Sequence, residues 1–150
     1  MHHHGFETAT DALEFMAGGR ARFTLTSAKT GKHFTYRIAH REEGKPFFVS
    51  VLNGPDNEGD YLYIGFIYPT RFTGETVDRI GSHLQAGRKG HPDALSYKAL
   101  DWTLAHLIRG TIPEEVTVQH EGRCCRCGRT LTHPESVASG IGPECASKRS

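Results

Sequence analysis

All four cysteines of this 150-residue chain lie between Cys124 and Cys145. Cys124 and Cys127 form a C-x-x-C pair followed by Gly128. Such a pair at a tight turn presents two thiolates to one ion, and glycine permits the backbone the turn needs. Cys145 is the next sulfur, with seventeen residues between it and Cys127. A tetrahedral zinc site needs a fourth ligand. His120, just ahead of the pair, is the first choice, His133 the second and Cys125 the third. With four positions filled, no coordination site is left for water, so the expected Zn2+ is structural. A disulfide framework is disfavoured, because the first 123 residues offer no cysteine to pair with. A redox pair lacks its strand–CxxC–helix context.

Other residues point to binding. Arg123, Arg126 and Arg129 are spaced to decorate one side of a zinc knuckle. Arg22 and Arg37, with His33, fall on the outward positions of two alternating strands, and Tyr61 and Tyr63 join them if a later strand aligns. Arginines mixed with aromatics on an open sheet hold phosphates and stack bases. Trp102, His106 and Arg109 recur at helical spacing beside an apolar stripe and form a candidate protein-interaction surface. Asp56, Asn57, Glu58 and Asp60 lack the calcium-loop spacing and read as an acidic turn. No G-x-S-x-G, H-E-x-x-H or phosphate loop is present, and His83, His91 and Asp101 are scattered. No catalytic residue is assigned, and the reading leans away from an enzyme.

The tail carries a resemblance. Cys124-Cys125-Arg126-Cys127-Gly128-Arg129-Thr130-Leu131-Thr132, then Gly140-Ile141-Gly142-Pro143-Glu144-Cys145, resembles an uncharacterised family of phages, prophages and bacteria marked by C-x-x-C-G-R-x-L-T and G-I-G-P-x-C. Cys124, Cys127 and Cys145 are the shared sulfurs, while Cys125 stands where other residues are usual. The family pattern often has other residues at His133, which favours His120. The resemblance implies a mobile-element setting and carries no activity. Gly140 to Pro143 also has a geometric reading: glycine ends one helical turn and proline opens another that delivers Cys145.

The elements that must position these groups follow from periodicity. Thr10 to Ala17 predicts a short helix capped by Thr10 or Asp11 and stopped by Gly18-Gly19. Phe23 and Leu25, then Phe34, Tyr36 and Ile38, alternate as an inward-facing hairpin around Ala28–Gly31. Phe47–Leu52 and Tyr61–Tyr68 read as further strands, and Val116 and Val118 as a last one. Thr76–Leu84 predicts a weak helix. Ser96–Arg109 predicts a firm one, with Tyr97, Leu100, Leu104, Leu107 and Ile108 on one stripe.

The expected fold is α+β: a mainly antiparallel sheet with one or two packed helices and a C-terminal zinc-knuckle-like module. Residues 1–5 read as a tag remnant, so His2, His3 and His4 stay out of the metal argument. Residues 6–119 form the domain and 120–150 the zinc-binding tail. With 37% hydrophobic and 23% charged residues the chain is suited to a folded core. Eighteen Lys and Arg against seventeen Asp and Glu exclude a strongly basic protein, although the tail is locally basic. No apolar run spans a membrane, and the start lacks a secretory pattern, so the expected place is the reducing cytoplasm of a bacterial host. The expected function is non-enzymatic binding of nucleic acid, single-stranded or contacted through its backbone. A protein–protein inhibitor or adaptor acting on a host machine is the alternative.

Overall fold

The first helix starts earlier than the sequence suggests. Thr8 is extended, at φ −122° and ψ 149°, and its side chain accepts from Asp11 N, so Thr8 caps α1, Ala9–Met16. This corrects the expected cap at Thr10 or Asp11: a Thr three residues before the Asp satisfies a free N–H of the first turn and lets Ala9 join the helix. Gly18 N–H donates to Phe15 O, and Gly19 turns the chain at φ +107° into the first long strand. The computed structural model describes residues 4–43, 45–54, 59–68, 84–86, 92–128, 130–131 and 140–141.

Those residues build an α+β fold. The strands are β1 (His4–Gly5), β2 (Arg20–Ser27), β3 (His33–Ala39), β4 (Phe47–Leu52), β5 (Tyr61–Ile67) and β6 (Val116–His120), and the second helix is α2 (Leu95–Ile108). Strands β2 to β5 form an antiparallel meander. β6 returns to pair with β2, and the two residues of β1 pair with β6, giving the order β1-β6-β2-β3-β4-β5. The Thr76–Leu84 helix expectation lies outside the described residues apart from Leu84, which is buried beside the bridge of Gln85 to Phe66. Among the described residues no helix is long and apolar enough to cross a membrane.

Alternation decides which face is core. Phe23 and Leu25 of β2, Tyr36 and Ile38 of β3 and Tyr97, Leu100, Leu104 and Leu107 of α2 are buried as expected, while Phe34 and Ile108 are only half-buried. Ala21 of β2 and Ala12, Phe15 and Met16 of α1 complete the core. Each large side chain buried in this way contributes roughly 1.5–3 kcal/mol. Phe23 and Tyr36 stack at 5.5 Å, and Tyr36 OH donates to Ser96 O at 2.7 Å, which fixes the start of α2 over β3. Thr103 takes an inner position of α2 and satisfies its hydroxyl by donating to Ala99 O. Gly110, at φ +92°, closes the helix.

Candidate nucleic-acid interface

The positions left over by the inward alternation make the other face of the sheet. On β2 these are Arg20, Arg22 and Thr24; on β3, Thr35, Arg37 and Ala39. The register sets Arg22 directly opposite Arg37, Arg20 opposite Ala39, and Thr24 opposite Thr35, whose hydroxyls bond at 2.8 Å. Like charges facing each other across an antiparallel pair repel, and an anion lying over both relieves the repulsion. The Arg37 guanidinium lies 4.6 Å from the centre of the Tyr61 ring and that of Arg22 5.9 Å, so Tyr61 holds both heads by cation–π attraction. The conditional alignment of β5 therefore occurs, and Tyr61 and Tyr63 share a sheet with the two arginines.

The cysteine tail supplies the facing wall. After β6, Gly122 turns the chain at φ +83°. Arg126 N–H donates to Cys124 Sγ at 3.4 Å, Gly128 N–H donates to Cys124 O at 2.9 Å, and Gly128 has φ +80°. A short bridge from Arg123 to Thr130 completes the turn. Cys125 takes another course. It is fully buried, its carbonyl accepts from Arg20 N at 2.6 Å, and its N–H donates to Gly140 O at 2.9 Å. A Cβ on Gly18 would overlap its sulfur, so this cysteine docks the tail onto the turn between α1 and β2.

Docking closes a cleft of about 1100 Å³ lined by Arg20, Arg22, Arg37, Arg41, Arg123 and Arg126, with His40, Cys127 and, among the described residues, the single carboxylate of Glu121. Four of the five arginines named from the sequence thus meet; Arg129 lies outside the described residues. Arg20, His40 and Arg41 join them without having been singled out by spacing. Arg20 was legible, because it stands two residues before Arg22 and a strand repeats every two. His40 and Arg41 follow the end of β3, where no period operates. His40 is set by stacking on Phe47 at 4.0 Å and by its Nε2, which donates to Lys45 O.

Cys124 and Cys127 stand at the two ends of one turn, closed by the bond from Gly128 N–H to Cys124 O. The left-handed glycine after the second cysteine supplies the permissive backbone such a turn needs. His120 is fully buried between Phe6 and Phe15, with ring centroids at 5.1 and 5.2 Å, and its Nδ1 accepts from Gly122 N at 2.9 Å. In a neutral ring that acceptor puts the proton on Nε2, whereas a metal-bound histidine normally donates through its second nitrogen. Among the described residues no three His, Cys, Asp or Glu side chains form a group able to hold a metal; Cys145 and His133 lie outside them.

The third expected surface lies on α2. Trp102 is 43% exposed and packs on the His106 ring at 4.3 Å, while His106 Nδ1 donates to Trp102 O at 2.9 Å; Arg109 is the exposed helix end. None of the three lines the cleft. Of the scattered groups, Asp101 has a structural task, accepting from Leu84 N at 3.0 Å. His83, His91, Asp56, Asn57 and Glu58 lie outside the described residues. No curated protein and no solved structure matches the chain. Residues 115–150, which hold β6 and the whole cysteine tail, are similar to a family of unknown function, DUF6011.

Proposed function

We propose that this chain binds nucleic acid through phosphate contacts in the arginine cleft, with a structural zinc ion holding the tail that forms one wall. One observation carries the reading: arginines far apart in sequence, on β2, β3 and the tail, line a single cavity with one opposing carboxylate among the described residues. Phosphate oxygens are the natural guests of convergent guanidinium groups. Cys124, Cys127 and Cys145 would hold the zinc, which supplies rigidity and no reaction step. A reducing bacterial cytoplasm, the setting implied by the tail's likeness to mobile-element proteins, keeps such thiols available for metal. Zinc content decides the fourth ligand: loss in His120→Gln selects His120, and loss only in His133→Ala selects His133.

The test is binding of a labelled oligonucleotide followed by fluorescence anisotropy. With about four or five phosphates neutralised, affinity for a single-stranded oligonucleotide falls roughly 50- to 130-fold between about 50 and 200 mM salt. Arg22→Gln with Arg37→Gln weakens binding and flattens that slope. Binding that ignores salt, or no binding at all, rejects the reading. The alternative, a protein-binding adaptor, is favoured by the exposed Trp102 and its His106 neighbour. Trp102→Ala with His106→Ala leaves oligonucleotide affinity unchanged if the cleft is the site; a loss moves the site to α2.

A further inference from the structure

On the strands next to the cleft's sheet wall stands a row of aromatic side chains that phosphate binding leaves unused. Register traces it strand by strand. Ala39, in the cleft wall, faces Phe48 on β4, and Phe48 faces Phe66 on β5. Arg37, also in the wall, faces Ser50, which faces Tyr63. Phe48 is 49% exposed and Tyr63 39%, with ring centroids 6.3 Å apart, and Tyr68 lies edge-on to Phe66 at 5.3 Å. Adjacent strands are about 4.8 Å apart, so Phe48 stands one strand from Ala39 and Tyr63 two strands, about 10 Å, from Arg37. A phenylalanine has no polar handle to justify half exposure, and here it belongs to an aromatic group beside a positive cleft.

We infer that the occupant is a single-stranded nucleic acid whose phosphates lie in the arginine cleft while its bases stack on Phe48 and Tyr63. This rests on the nucleic-acid reading above and adds the class of strand. A duplex keeps its base faces stacked internally and offers this sheet only phosphates and groove edges. A single strand offers both charge and free π-faces, and stacking is tolerant of sequence because every base has such a face. The site is therefore specific for strandedness and indifferent to base order.

Three probes of about 12 nucleotides separate the contributions, a length within the usual site size of such sheets: oligothymidylate, an abasic oligomer with the same number of phosphates, and a duplex. The wild type binds oligothymidylate roughly tenfold or more tightly than either of the others. Phe48→Ala and Tyr63→Ala each lose about tenfold on oligothymidylate and nothing on the abasic strand, with the salt slope unchanged. Phe48→Trp in a Trp102→Phe background gives a second readout, fluorescence quenched by oligothymidylate and not by the abasic strand. Equal affinity for base-bearing and abasic strands, or for duplex, overturns the inference and leaves the arginine reading standing. Absence of binding to all three overturns both.

Discussion

At the scale of single residues, Tyr36 shows how one side chain can tie the core to pH. Its phenol is buried, donates to Ser96 O, and is held well above its ordinary value of 10.0 because burial disfavours the phenolate. Below that ordinary value both folded and unfolded chains keep the proton, and the stabilisation is complete. Above it the unfolded chain releases the proton while the fold retains it, so stability falls as pH rises, by about 1.4 kcal/mol per pH unit. Thermal unfolding between about pH 9 and 11 should show this loss, and Tyr36→Phe should blunt it. An equal decline in both proteins would assign the effect elsewhere. The legibility of the cleft also varies residue by residue. Arg22 and Arg37 were readable because a strand sends alternate residues to one face. Their direct opposition was not, since it depends on a register that the hairpin turn sets.

At the scale of elements, the docking of the tail on α1 has a strict geometric condition. Gly140 sits at φ +77°, and a Cβ there would overlap the Phe15 ring. Gly140→Ala should therefore combine left-handed strain with overpacking and lower stability by about 2–5 kcal/mol. Urea unfolding measures this, and an unchanged midpoint would show that the tail does not press on α1. The two helices and the five longer strands were legible from period and punctuation, as in the alternation from Phe34 to Ile38 and the stripe from Tyr97 to Leu107. The position of Phe48 was not. A run such as Phe47-Phe48-Val49 is apolar throughout, and pairing with β3 and β5 decides which phenylalanine turns outward. Nor could spacing show that Cys125 packs at Gly18, since the contact joins segments far apart in the chain.

At the scale of the whole molecule, the described tail and the sheet share one core. Cys124, Cys125, Leu131 and Ile141 belong to the same buried cluster as Phe15, Phe23 and Leu104. Leu131 and Ile141 alone account for roughly 1.5–3 kcal/mol each, a large share of the ~5–15 kcal/mol by which domains are stable. A chain ended after Gln119 should lose its cooperative unfolding transition by circular dichroism. Survival of the original midpoint would make the tail an appendage. The place of β6 has a further consequence, for the order of assembly. Phe23 pairs with His120, so the β2 edge stays open while nearly all the intervening chain is made. A ribosome that has released only the meander has released a sheet with an unpaired inner edge. Contacts so distant in sequence slow folding, and such an edge is a template for other chains. Nascent molecules are therefore most exposed to aggregation, and most dependent on chaperones, just before residues 116–120 arrive.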